Sequence, residues 1–330
     1  MEWYYILLIC VGALFLLLTA LGLLIYHIAF GARCDKNPLL TYFSAEHFSL
    51  TAKPVQVRKG KYELRGNIYT KGERQKQVLV VFCHGMGPGH AAYMTEINGF
   101  CEQGYTVLAI DNRGCGLSQG KSIKGFYSGV QTAKAAIDYA RSSKEFEGYK
   151  ICLAGHSWGG YSVLCASSER EVDGVVALSA PVSPLKIIYF NLIPVFGKVF
   201  AAILIPFVGI ADFLHFGFKS NKNAAKCAVK SGVPTLLIHG DKDFTVPMNR
   251  AAYHYAKGGK VSHYLAEGKA HNPYNTVKAQ ELIIELSSKR KASSKMSDGE
   301  KKFFADFDYV AATEEDGQVM GAIYNFIDSL

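Results

Sequence analysis

Hydrophobic positions along this chain follow two different rhythms. From Ile6 to Phe30 they run without a single charged residue, and 25 helical residues at about 1.5 Å each are enough to cross a hydrocarbon core of roughly 30 Å. Beyond that stretch the apolar runs are short and regularly spaced. Gln77–Cys83, Thr106–Ile110, Lys150–Ala154, Val175–Ser179, Thr235–His239 and Val261–Ala266 each read as a strand buried on both faces of a parallel sheet. Val55–Arg58 and Glu63–Tyr69, joined through a Lys-Gly turn, read as earlier strands. Helical patterns over Tyr93–Gln103, Val130–Ser142 and Tyr161–Glu169 separate the buried strands, which is the grammar of an α/β doubly wound, mostly parallel sheet.

Two stretches break the rhythm. Ala180–Val233 is rich in Ile, Val and Phe, but Lys198, Asp212 and two prolines interrupt it, so short helices covering the sheet's ligand end as a lid are expected over about 181–232. Ser287–Asp316 carries Lys289, Arg290, Lys291, Lys295, Lys301 and Lys302, then Glu314, Glu315 and Asp316, and reads as a solvated loop with a short helix. The expected organisation is an anchor over residues 1–32 and one catalytic domain over 33–330.

The N-terminal run reads as an uncleaved anchor. Only Met1-Glu2 precedes its aromatic flank, with no Lys or Arg, and the run exceeds a signal-peptide core. Trp3, Tyr4 and Tyr5 at one end and Tyr26 at the other suit the two interfaces. Arg33, Lys36 and Lys53 follow the span while only Glu2 precedes it, which places the body in the cytoplasm. The eight cysteines are scattered singly, without a CxxC pair, as free core residues would be. A net charge of +8 in 330 residues suits an anionic membrane face, whereas no basic stripe with interleaved aromatics points to nucleic acid. Neither a metal-ligand cluster nor a dinucleotide loop is present in the sequence, so no cofactor is implied.

The chemistry gathers where strands end. Gly155-His156-Ser157-Trp158-Gly159-Gly160 follows a buried strand and opens a helix, the context of a G-x-S-x-G nucleophile elbow. Small flanking residues are needed there because the turn holds the nucleophile in a strained backbone position. Serine at its free pKa is inert, so a base must take its proton and a carboxylate must orient that base. Gly240-Asp241-Lys242-Asp243 follows a later strand. Asp243, one step further past the strand end, is the expected acid, and Asp241 a turn residue. Among ten histidines, His271 lies on the loop after the last strand, from which a side chain can reach Ser157, and is the expected base. His84, His156 and His239 neighbour glycines and read as structural, while His254 and His263 read as surface or core. The backbone N–H groups of Trp158 and Met86 are the expected oxyanion donors.

Taken together, HGM after one strand, DxRGxGxS after the next, GHSWGG, GDxDxxVP and a late GxxH resemble the α/β-hydrolase superfamily. Within it the match is nearest the serine-aminopeptidase/monoacylglycerol-lipase-like, lysophospholipase-type branch, over roughly Val55 to Thr276. That resemblance implies an α/β-hydrolase fold and makes Asp111, Arg113, Gly114 and Gly116 structural. The N-terminal anchor, the apolar insertion and the Ser287–Asp316 segment depart from the pattern. The reading that follows is a membrane-anchored serine hydrolase cleaving esters of lipophilic acyl substrates, with Phe196 and Phe200 of the lid touching the acyl chain. Peptidase, thioesterase or acyltransferase chemistry would use the same triad, and a non-catalytic membrane scaffold is the rival outside enzymology.

Overall fold

The computed structural model describes residues 2–38, 40–73, 76–290 and 297–330; Lys291 and Lys295 of the basic run lie outside them. In chain order the elements are α1 (Trp3–Phe30), β1 (Thr51–Lys59), β2 (Tyr62–Thr70), β3 (Val78–Cys83), α2 (Met94–Glu102), β4 (Thr106–Ile110), α3 (Phe126–Ser142), β5 (Lys150–His156), α4 (Trp158–Ser167), β6 (Gly174–Leu178), α5 (Pro184–Phe216), α6 (Ala224–Ser231), β7 (Thr235–Gly240), α7 (Ala252–Tyr255), β8 (Val261–Ala266), α8 (Val277–Arg290), α9 (Asp298–Asp306) and α10 (Gly317–Asp328). The strands form one sheet in the order β1-β2-β4-β3-β5-β6-β7-β8. β1 and β2 pair antiparallel, as do β2 and β4, and every pairing from β4 through β8 is parallel.

The runs without polar interruption became the central strands. β4, β6 and β7 are buried at every position, while β8, which mixes Ser and His into its run, lies half exposed at the sheet edge. The sheet separates two apolar layers. On one side Ile137, Leu164 and Ala228 of α3, α4 and α6 pack against it; on the other, Ile97 and Phe100 of α2 and Ile323 of α10 do. Six of the eight cysteines are buried.

The apolar N-terminal run is a single helix, exposed from Trp3 through Leu17. Its last turns are not. Tyr26 and Phe30 belong to the core of the body, so the last turns of α1 pack as part of it. The chain after α1 is also tied down: Arg33 donates to the carbonyls of Gly116 and Ser118, and Cys34 N–H donates to Gly114 O at 2.9 Å.

The apolar insertion takes a different form from the short helices expected. α5 is a 33-residue helical run bent at Gly197, whose φ of 74° is one that L-residues avoid. Pro194 precedes the bend, and Pro206 is accommodated inside the second arm. That arm lies along α1. Gly22 leaves no room for a Cβ against the backbone of Phe207, the Phe15 and Phe207 rings meet at 5.6 Å, and Tyr26 Oη donates to Asp212 Oδ1 at 2.6 Å. Of the acids closing the second break, Glu315 and Asp316 are half-buried and paired or packed, because α10 brings the chain back against α2. Asp316 caps α10 and pairs with Lys269 at 2.6 Å. Glu315 stands beside Gly99 with its Oε1 enclosed and unpartnered. Burial, reinforced by Glu96 and Glu102, pushes its carboxyl up to about 9.

A carboxyl raised on folding keeps its proton where the unfolded chain has already lost it. Its favourable contribution is complete below the ordinary carboxylate range and is lost as pH rises toward about 9. Glu315→Gln, which is neutral at every pH, should therefore raise Tm over wild type at pH 8 and have little effect at pH 5. Melting of the full chain in detergent checks this; an equal difference at both pH values would contradict it.

Candidate active site

β5 runs into the elbow. Ser157 has φ 55° and ψ −115°, left-handed backbone that a residue with a Cβ adopts only under constraint, and α4 starts at the next residue. The constraint is visible around it. A Cβ at Gly155 would strike the backbone of Gly159, and one at Gly159 would strike the carbonyls of Cys83 and His84. Ser157 N–H donates to Leu178 O at 2.8 Å, which fastens the turn to β6.

Asp243 lies on the loop after β7 and is 5% exposed. Its Oδ1 accepts the N–H groups of Thr245 and Val246 at 2.9 and 2.8 Å. Its Oδ2 lies 2.8 Å from His271 Nδ1. Burial works to raise this carboxyl, but the bond to His271, the charge of that ring and the Val246 N–H together hold it below the usual carboxylate range. Asp241 is exposed, as a turn residue would be, and His254 and His263 are exposed as well. His239 is buried, its Nε2 donating to Val246 O at 3.0 Å in support of the acid's loop.

His271 occupies the loop after β8 and is half-buried. The His156 and His271 rings lie 4.8 Å apart, and His156 Nε2 donates to the His271 carbonyl at 2.8 Å. His271 is thereby fastened to the residue next to Ser157. No hydrogen bond joins Ser157 Oγ to the imidazole among the described residues; such contacts tighten when substrate is bound.

One arrangement was not read from the sequence. His156 is buried, and desolvation, helped by the neighbouring His271, drives its pKa down to about 3, so the ring is neutral. With Nε2–H donated to His271 O, its Nδ1 must accept, and Tyr93 Oη lies there at 3.0 Å. Tyr93 Oη in turn accepts the Gly85 N–H at 3.0 Å. Every donor in this chain meets an acceptor, and it runs from the glycine loop after β3 to the backbone of His271. Its sequence signal was thin: His156 occupies the variable position of the elbow, and Tyr93 only opens a helical pattern.

The same chain sorts the expected oxyanion donors. Gly85 N–H is committed to Tyr93, whereas Met86 N–H has no partner among the described residues. Trp158 N–H heads α4, while its indole is buried and donates to Phe126 O at 2.8 Å. The collision that excludes a Cβ at Gly159 also shows that the start of the 84–86 loop abuts the first turn of α4.

Phe196 is half-buried against the core, and Phe200 is 65% exposed on the second arm of α5. Neither lines the cavity beside His271. That cavity, about 280 Å³, is walled by Phe244, Ala270, Gln280, Ile283 and Ile284, which belong to the acid loop, the histidine loop and α8. Among the described residues no group of three or more His, Cys, Asp or Glu is gathered as a metal site.

Residues 74–209 match the family described as serine aminopeptidase, S33, a stretch that contains Ser157 but neither Asp243 nor His271. Among curated proteins the chain is 25% identical over 189 residues to the uncharacterized protein YfhR of Salmonella typhi, covering 54% of this chain and 58% of that one. It is 30% identical over 103 residues to the quorum-quenching protein AidA of Acinetobacter baumannii, covering 30% of this chain and 34% of that one. The chain thus spans little more than half the length of the first and about a third of the second. Among solved structures, an esterase of Pyrococcus furiosus, Pf2001, superposes with a TM-score of 0.57 at 21% identity, over 79% of this chain and 96% of that one. Est1E from Butyrivibrio proteoclasticus, solved with ferulic acid bound, gives 0.52 at 21% identity, over 72% and 98%. With this sheet order and this strand–turn–helix elbow, the chain has the α/β-hydrolase fold.

Proposed function

We propose that this protein is a membrane-anchored serine hydrolase that cleaves esters of lipophilic acyl groups through an acyl-enzyme. The observation carrying the reading is the Asp243–His271 bond beside the strained elbow. Ser157 Oγ attacks the ester carbonyl while His271 Nε2 takes its proton; Asp243 holds the ring and offsets the imidazolium charge. The N–H groups of Met86 and Trp158 receive the oxyanion. Collapse breaks the acyl–oxygen bond, and His271 returns the proton to the departing alcohol. Water then attacks the acyl-serine with His271 as base, releasing the acid and restoring Ser157. Ester hydrolysis agrees with the esterases that share the fold, and the serine-aminopeptidase match keeps peptide cleavage as the second reading. The apolar helix α1 supports attachment to a membrane. The cations Arg33, Lys36 and Lys53 after it support a cytoplasmic body.

Ser157→Ala and His271→Ala should each lower turnover of a p-nitrophenyl ester by on the order of 10³-fold or more and leave Tm near wild type. Fluorophosphonate labelling should vanish in the first. Asp243→Asn should be far more damaging than Asp241→Asn; the reverse order would move the acid to Asp241.

Tyr93→Phe removes the donor to His156 and the acceptor for Gly85 N–H. It should lower kcat about tenfold with KM little changed, the cost of about one buried hydrogen bond. A change confined to KM, or none, would remove Tyr93 from the positioning of His271.

Each methylene of an acyl chain buried from water is worth about 0.8 kcal/mol, so kcat/KM should rise from acetyl to medium-chain esters until the pocket is full. Two walls compete for that chain, and the cavity beside His271 favours α8. Phe244→Ala and Ile284→Ala should flatten the rise while Phe196→Ala and Phe200→Ala leave it intact. The opposite pattern would put the acyl chain under α5.

A further inference from the structure

A cavity of about 350 Å³ opens at the foot of α1, between its last turns, the end of α5 and the loop that carries Arg113 and Lys124. That volume falls in the range of small-molecule sites, roughly 300–1,000 Å³. Its polar wall is cationic or neutral: Arg113, Lys124, Ser122, His27 and His215 line it. A second cavity of about 250 Å³ adjoins it, sharing Arg113 and Lys124 and adding Lys59 and Lys61. No Asp or Glu lines either one. The nearby carboxyl, Asp212, receives the Tyr26 hydroxyl through Oδ1.

Arg113 is the telling residue. Its Nη2 donates to Tyr62 Oη at 3.0 Å and its guanidinium stacks on that ring at 4.3 Å. Its Nε and Nη1 are enclosed and have no partner among the described residues. Buried guanidinium N–H groups without acceptors are costly, and their forked geometry suits the oxygens of a phosphate. Lys124, Lys59 and Lys61 form no ion pair among the described residues, and neither does Arg113, so four cations converge without an ion-pair partner.

The position of the cavity says where a phosphate would come from. Leu23, Leu24 and Ile28 of α1 point outward beside it, and the helix ends at Phe30. With α1 seated in a bilayer, as in the function proposed above, the cavity lies at the depth of the headgroups on the side of the body. Basic pockets between apolar helices at that depth suit anionic lipid. We propose that this cavity binds the phosphate of an anionic phospholipid headgroup, with Arg113 as the fork and Lys124 and Lys61 completing the charge. A bound lipid would then bridge α1, α5 and the Arg113 loop, fixing how the body stands on the membrane.

The test uses the full chain in an uncharged detergent and reads Tm, not hydrolysis. Ether-linked phosphatidylglycerol, ether-linked phosphatidylcholine and inorganic phosphate are added in separate arms. The ether lipids carry no ester, so the result is independent of whether Ser157 is the nucleophile. Phosphatidylglycerol well above its Kd should raise Tm by roughly 5 °C, and phosphatidylcholine and phosphate much less. Arg113→Gln should abolish the rise, and the double variant Lys61→Gln/Lys124→Gln should at least halve it. Should Arg113→Gln not fold, the lysine pair carries the test. An equal rise with phosphatidylcholine, or a rise kept in the lysine pair, overturns the site. An equal rise with inorganic phosphate overturns the lipid as its ligand. Carbonate extraction separately checks whether α1 holds the protein in the membrane.

Discussion

The site is organised around the left-handed turn at Ser157. A residue with a side chain holds φ near 55° only where its surroundings leave no alternative. Here the alternatives are closed from three directions: β5 is hydrogen-bonded on both edges, Ser157 N–H is fixed to Leu178 O, and the glycines at 155 and 159 let backbone approach backbone. The close approach at Gly159 also brings the carbonyls of Cys83 and His84 against α4, and with them the loop that offers Met86 N–H. Relaxing the turn would therefore displace the serine and separate the Met86 and Trp158 N–H groups together.

Asp243 and His271 are held by a different device, a set of buried polar groups that satisfy one another. Asp243 has its Oδ1 filled by two N–H groups, which leaves Oδ2 to His271. His271 is held by its backbone carbonyl as well, through a His156 that burial keeps neutral. A protonated His156 would have a donor at Nδ1 facing Tyr93 and would leave that hydroxyl's own proton without an acceptor. The low pKa thus preserves one tautomer, and the tautomer preserves the spacing between the 84–86 loop and His271. Half-satisfied networks in a dry interior are costly, so the whole chain of bonds forms or fails as a unit.

Most of this was legible where one physical signal dominates. Runs such as Thr106–Ile110 and Val261–Ala266 became strands at those very bounds, because an apolar run between glycine-rich loops has few other uses. Motif position likewise carried Ser157, Asp243 and His271 to neighbouring loops at the same end of the sheet. Three features were not legible. The bend of α5 depends on one glycine within a run that composition alone reads as several short helices. Glu315 looked solvated among its charged neighbours, yet α10 folds it against α2, a contact far apart in sequence. The Tyr93–His156 chain depends on tautomer and burial, neither of which has a period or a motif.

The two ends of α1 are apolar for different partners. Phe30 packs edge-on against Phe126 at 5.9 Å, and Phe126 packs against Trp158 at 6.4 Å while its carbonyl accepts the indole N–H. Trp158 is the residue whose backbone N–H is read here as an oxyanion donor. Three aromatic residues thus link α1 to the first turn of α4. Hydropathy sees one apolar run because bilayer and protein core reward the same side chains, and only the partners differ. For Trp3 to Leu17 the described residues provide few, and for Tyr26 and Phe30 they provide the body itself. A cut at residue 32 would leave Phe126 without its neighbour and open one wall of the layer that supports Trp158. The last turns of α1 therefore belong to the body, and that helix and the Ser157 elbow share one packed layer.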